Sequence, residues 1–143
     1  MPAEHASYPY IAEPGARYTP YPPLVVDCSV LAAVLFDEPQ RESAALAMAG
    51  KELFAPDLLD HELVSVALKK HSLGMTEAAE QALEDLAQLR MTRCAVNARA
   101  QLNMARELKI TAYDAAYVLL AADLRAPLVT FDKALGLAAK RVL

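Results

Sequence analysis

The chain has 143 residues, 55% of them hydrophobic and 22% charged, which fits one domain and excludes a mostly disordered protein. Its formal net charge of −4 argues against a protein that holds nucleic acid by bulk electrostatics, because such domains are basic. That charge is compatible with an enzyme whose acids are concentrated in a metal site, or with a protein covered by a basic partner.

No apolar run reaches the roughly 18 residues needed to span a membrane, and the N-terminus lacks the basic-then-apolar pattern of a signal peptide. Cys28 and Cys94 show neither zinc spacing nor a secreted disulfide pattern. Both lie in apolar, strand-like stretches, so buried free thiols and a cytoplasmic location are expected.

Residues 1–22 stand apart. Pro2, Pro9, Pro14, Pro20, Pro22 and Pro23 punctuate this stretch, with Tyr8, Tyr10, Tyr18 and Tyr21 between them. No helical or strand period runs through it, which predicts an extended arm with polyproline-like segments, the alternative being a poorly ordered tail. Its tyrosines supply contact area at low entropy cost, so the arm is expected to dock on a protein surface, for instance that of a second subunit.

Residues 23–143 form the globular part. The run Leu24-Val25-Val26, ended by Asp27, predicts a buried strand. Ser29 is placed to cap a helix from Val30 to about Phe36. Pro39 opens a helix that Gly50 closes. Leu53-Phe54-Ala55 predicts a second strand. Asp57 is expected to cap a long helix to about Ser72, and Thr76 starts another to about Leu89. Met91 to Ala95 predicts a third strand, and Val96 to about Lys109 a helix. Thr111-Ala112-Tyr113-Asp114 has a capping-box pattern and opens a helix to about Arg125. Leu128 to Phe131 predicts a fourth strand and Lys133 to Lys140 a last helix, with Arg141-Val142-Leu143 as a short fifth strand. Strands alternating with helices predict an α/β fold around a central parallel sheet of four to five strands.

Four carboxylates occupy positions where charge is costly. Asp27 and Asp132 each directly follow an apolar strand, and in such sheets sites form at the carboxyl ends of strands. Glu62 shares a helix face with Leu58, Leu59 and Val66, where a carboxylate needs a partner. Asp114 shares a face with Val118, Ala121 and Ala122. Asp60 and Asp123 point away from these faces and read as surface acids. Each of the four also has a plainer reading. Asp114 can be the partner of the Thr111 cap, Asp132 a helix cap, Asp27 a turn acid, and Glu62 a salt-bridge partner of Lys69.

Clustered carboxylates are oxygen-only ligands, which suit Mg2+ or Mn2+. Such ions activate water and stabilise charge on a phosphate oxygen, so phosphodiester hydrolysis fits the parts best. Lys69, two helical turns beyond Glu62, can pair with a substrate phosphate or lay its stem over apolar surface. His5, His61 and His71 offer no obvious base for a nucleophilic serine and read as structural or surface histidines.

The motifs around these acids resemble the PIN-domain nucleases and, in size, the VapC-type toxins of type II toxin–antitoxin pairs. Leu24-Val25-Val26-Asp27-Cys28-Ser29 is similar to the opening strand of that family, and Pro56 to Leu63 to its segment with a helical Glu. Thr111 to Tyr117 and Leu128 to Lys133 are similar to its third and fourth acidic motifs. The resemblance covers about residues 24–143 and leaves out the arm. It implies a three-layer α/β/α sandwich with strand order 3-2-1-4-5 and Mg2+- or Mn2+-dependent cleavage of RNA. It assigns Asp27, Glu62, Asp114 and Asp132 to catalysis and metal binding. Ser29 and Thr130 match supporting hydroxyl positions, for which capping and ordinary strand chemistry are the alternatives. It further implies a homodimer, an antitoxin partner and RNA as substrate. Helices from about Gln40 to Gly50 and Thr76 to Leu89 carry surplus Ala, Leu and Met, which also suggests a dimer interface. The other functions open to such a chain are RNA processing without an antitoxin and a catalytically silent interaction module. A receiver-type phosphoacceptor fits poorly, because the first strand ends in Asp27 alone and two of the four acids lie on helices.

Overall fold

The computed structural model describes residues 7–14 and 21–143. The expectations about Pro2, His5, Tyr18 and Pro20 lie outside these residues. Among the described residues five strands form one sheet: β1 (Tyr10–Ala12), β2 (Pro23–Val26), β3 (Glu52–Pro56), β4 (Thr92–Cys94) and β5 (Leu128–Thr130). Seven helices accompany them: α1 (Cys28–Leu35), α2 (Arg41–Met48), α3 (Leu58–Ser72), α4 (Thr76–Gln88), α5 (Ala98–Leu108), α6 (Ala112–Leu124) and α7 (Lys133–Lys140).

The sheet order is β1-β5-β2-β3-β4, with β5, β2, β3 and β4 parallel and β1 antiparallel to β5. The chain moves outward from β2 through β3 to β4, then returns across the sheet to β5. Right-handed crossovers therefore place α1–α4 on one face and the α5–α6 pair on the other. This is the expected three-layer α/β/α sandwich. The strands buried on both faces are the apolar ones: Val25, Val26, Leu128 and Val129 are all 0% exposed. Helix α6 is buried over Ala115–Ala121, which explains its apolar residues on every side.

Local signals place the ends of the elements. Asn97 and Thr111 accept amide hydrogen bonds from Ala100 and Asp114 and so cap α5 and α6. Gly74, at φ +82°, turns the chain between α3 and α4 in a conformation that costs other residues more.

Three expectations are corrected. Arg141-Val142-Leu143 is not a strand, because the amides of Val142 and Leu143 bond back to the carbonyl of Ala139 and cannot enter a ladder. The fifth strand comes instead from the arm: Tyr10, Ile11 and Ala12 pair with Thr130, Val129 and Leu128. The arm therefore docks on its own chain at this point and is not polyproline-like there. Finally, Cys28 starts a helix, not a strand, and Ser29 lies inside that helix. The cap position belongs to Asp27, and that of α3 to Asp57 as expected, but neither side chain makes a capping bond.

Candidate functional site

Strands β2 and β5 are neighbours at the point where the strand order reverses, since β2 leads outward to β3 and β4 and the chain then crosses back to β5. Their carboxyl ends thus mark a topological switch point, where a crevice opens. Asp27 follows β2 there and Asp132 follows β5. The Asp27 amide bonds the Val129 carbonyl at 3.1 Å, which fixes the two strand ends together.

Asp27 is buried, at 6% exposure. Its Oδ2 accepts the hydroxyls of Ser29 and Thr130, each at 2.7 Å. Ser29 Oγ in turn accepts the Phe131 amide, and Thr130 Oγ1 accepts the Asp132 amide, both at 3.0 Å. Two hydroxyls thereby lock one carboxylate oxygen and the turn that carries the next acid. Among the described residues Asp27 Oδ1 accepts no side-chain hydrogen bond. Ser29 and Thr130 thus both bond the Asp27 carboxylate, and Ser29 does not cap α1, because it lies inside that helix.

Asp132 is exposed, and its Oδ1 accepts the Leu135 amide at 3.2 Å. Its capping alternative holds, and the residue still stands at the end of β5. Asp114 sits in the first turn of α6, half-buried. Its backbone amide donates to the Thr111 hydroxyl of the cap at 3.0 Å.

Glu62 is half-buried on α3 and accepts the Tyr117 hydroxyl at Oε1, at 2.7 Å. Its salt-bridge alternative fails: no ion pair joins it to Lys69 among the described residues. Tyr117 was missed in the sequence. Its signal is the spacing from Asp114, one helical turn along the same segment. Its hydroxyl is the polar handle that a buried tyrosine needs to satisfy, and Glu62 satisfies it.

The electrostatics tie the four acids together. Burial pushes the Glu62 carboxyl above its usual range; the Tyr117 bond opposes this, and the charges of Asp27 and Asp114 add to it. Burial likewise raises Asp114, with Asp132 and Asp27 adding to it and the Thr111 hydroxyl opposing. Every one of the four carboxylates thus lies in the field of at least one other. Burial, with Glu62 and Asp27 adding, pushes the neighbouring Cys28 thiol up to about 12, which leaves it inert. Tyr117 is raised by burial and by its bond to Glu62, so it stays a donor.

The acids do not form a finished cage. Among the described residues no three Asp, Glu, His or Cys groups meet in ligating geometry. The donor set nevertheless fits a hard divalent cation: it is oxygen only, partly desolvated, and has a free oxygen on the most rigid member.

A groove of about 490 Å3 runs beside Glu62, lined by Cys28, Leu58, His61, Glu62, Ser65, Val66, Lys69 and Tyr113. Lys69 is exposed on its wall, as the spacing along α3 predicted, and His61 shares the groove although it lies off the Glu62 face. Tyr113, 66% exposed, presents an aromatic face at the same place. Asp60 is not a free surface acid: Arg93 binds it through both carboxylate oxygens, at 3.2 and 3.1 Å.

Among the described residues no helix is long and apolar enough to cross a membrane. No curated protein matches the chain. A sequence model of the PIN domain matches residues 24–141, from the first residue of the buried β2 run to just past α7. That match spans all four acids and most of the chain, and it carries a nuclease-type fold: the chain belongs to the PIN-domain family.

Proposed function

We propose that the protein is a Mg2+- or Mn2+-dependent endoribonuclease, with Asp27, Glu62, Asp114 and Asp132 as metal-site acids. The observation that carries this reading is the Asp27 carboxylate at the switch point, locked through Oδ2 by Ser29 and Thr130 and open at Oδ1, with Glu62 and Asp114 within reach of its charge. A bound divalent cation would supply a Lewis acid and a water of lowered pKa for attack on a phosphodiester. Ser29 and Thr130 hold Asp27 in one orientation, so little reorganisation is needed when the site acts. Tyr117 holds Glu62 toward the other acids. Lys69 and Tyr113 line the groove where an RNA strand would lie, one offering a charge to phosphate and the other a face for base stacking.

The biological setting proposed is that of a VapC-like toxin, held in check by a small antitoxin and acting as a homodimer in the cytoplasm. Size and motif resemblance support this setting. Exposed Leu46 on α2 and Val64 and Leu68 on α3 supply apolar surface for a second subunit.

The test is incubation of purified protein with total RNA. Cleavage is expected with millimolar Mg2+ or Mn2+, and none is expected with chelator or with Asp27→Asn. Cleavage that ignores chelator, or wild-type protein that leaves RNA intact in both metals, would overturn the reading.

A further inference from the structure

The edge strand β1 reaches the acidic site from behind. Tyr10 pairs with Thr130 in the β1–β5 register. Thr130 is the residue whose hydroxyl binds Asp27 and receives the Asp132 amide. Tyr10 also lies against α7 at Gly136. A Cβ at that glycine would stand 2.6 Å from Tyr10 Cβ, 3.0 Å from its Cγ and 3.6 Å from Thr130 Cγ2. Only a residue without a side chain lets Tyr10 come so close, since packed interiors leave no such overlap. Gly136 is one turn into α7, and its amide bonds the Asp132 carbonyl at 2.9 Å. Tyr10 therefore touches both elements that hold Asp132, the strand before it and the helix after it.

Two other described residues of the arm, Ser7 and Ala12, are anchored independently. Ala12 is 2% exposed. The buried Ser43 hydroxyl on α2 donates to the Ser7 carbonyl at 2.8 Å. Tyr8, by contrast, is 76% exposed and shares none of these contacts.

We infer that Tyr10 is a positioning residue for the acidic site: it clamps β5 to α7, and so fixes Thr130 and Asp132 and, through Thr130, the orientation of Asp27. The activity part of this inference rests on the nuclease reading of the site. The geometric part stands on the contacts alone. A simple edge cover would protect β5 from pairing with other chains but would leave the acids indifferent to the Tyr10 ring.

The test compares full-length wild type with Tyr10→Ala, Tyr10→Phe, Gly136→Ala and Tyr8→Ala. Three quantities are read: amide hydrogen exchange at Phe131 and Asp132, Mn2+ affinity by calorimetry, and RNA cleavage as kcat against KM. Those two amides are held by the Ser29 and Thr130 hydroxyls, so they report the clamp directly. Tyr10→Ala is expected to speed their exchange, weaken Mn2+ binding by about tenfold as outer-shell losses do, and lower kcat with little change in KM. Gly136→Ala, which pushes Tyr10 away without altering it, should reproduce these effects. Tyr10→Phe and Tyr8→Ala should match wild type. If Tyr10→Ala does not fold, Tyr10→Leu carries the same comparison.

The inference is overturned if Tyr10→Ala or Tyr10→Leu lowers the melting temperature while Phe131 and Asp132 exchange and Mn2+ affinity stay at wild-type values. Should wild type neither bind Mn2+ nor cut RNA, the nuclease reading fails, and the exchange comparison still decides whether Tyr10 is the clamp.

Discussion

The Thr130 hydroxyl donates to Asp27 Oδ2 at 2.7 Å across two adjacent parallel strands, although the residues lie 103 positions apart in the chain. Removing this buried donor leaves Asp27 with the Ser29 hydroxyl alone. Thr130→Val should cost about 1–3 kcal/mol of stability, the usual penalty for a buried partner left unmet. It should also weaken Mn2+ binding by roughly 10- to 100-fold. Thr130→Ser keeps the donor and should retain both. Urea unfolding and metal titration of the two variants check this.

Tyr117→Phe removes the bond that opposes the upward shift of Glu62. The Glu62 carboxyl should then titrate still higher, so a larger share is protonated at a given acidic pH. The acid limb of the cleavage profile should move to higher pH, with the neutral plateau less affected. Because Glu62 is only half-buried, the stability loss should be about 0.5–1.5 kcal/mol, the usual worth of one hydrogen bond. An unmoved acid limb would show that Glu62 does not control the profile.

Glu62 and Asp114 are both raised above their ordinary values of 4.5 and 3.8. Each therefore binds its proton more tightly in the folded than in the unfolded chain. Their contribution to the metal-free fold is complete below those ordinary values and is lost as pH rises through the raised ones. Asp114→Asn removes one charge from this set. In chelator it should gain on wild type as pH rises through that window, and the gain should vanish at lower pH. Wild type should gain about 2.7 kcal/mol when the metal reaches 100 times its Kd, and the variant less. Thermal melts across pH, with chelator and with Mn2+, measure both.

Asp27→Asn keeps the shape of the most buried acid. Its amide oxygen can still accept the Ser29 and Thr130 hydroxyls, so the fold should be as stable as wild type, or more stable, in chelator. It should respond less to metal and lose RNA cleavage. A wild-type melting temperature that ignores metal, together with an active Asp27→Asn, would place the metal elsewhere.

Lys69 forms no ion pair among the described residues and lines the groove beside Glu62. Lys69→Ala should weaken RNA binding and reduce the slope of log affinity against log salt by roughly 0.7, the share of one phosphate contact on a single strand. Affinity measured across a salt series decides whether its head meets phosphate or only water.

Arg93 and Asp60 tie β4 to α3 outside the proposed site. Both are partly exposed, with side chains 26% and 43% accessible, so Arg93→Ala should cost at most about 1 kcal/mol. Metal response and cleavage should be unchanged. This variant separates a general loss of stability from damage at the acids.

The sequence by itself determined the alternation of strands and helices and pointed to the acids of the proposed site. Apolar runs as short as Leu24-Val25-Val26 and Leu128-Val129 are buried on both faces, so their hydrophobicity is visible without any structure. Helix periodicity separated half-buried Glu62 and Asp114 from exposed Asp123, because a carboxylate on an apolar face has a cost that the spacing reveals.

Tertiary structure decided what joins elements far apart in the chain. Nothing local in Ser29 or Thr130 shows that both hydroxyls meet the same oxygen of Asp27, since that depends on β5 returning beside β2. Tyr117 was hidden because an aromatic residue in an apolar helix looks like core until its hydroxyl is seen to face Glu62. The edge strand was misplaced for a similar reason. Tyr10-Ile11-Ala12 is too short to show a period, and Val142 and Leu143 look strand-like until their amides are found spent on Ala139. Backbone pairing carries no side-chain signature, so only the folded sheet could show that the arm, and not the last residues, completes it.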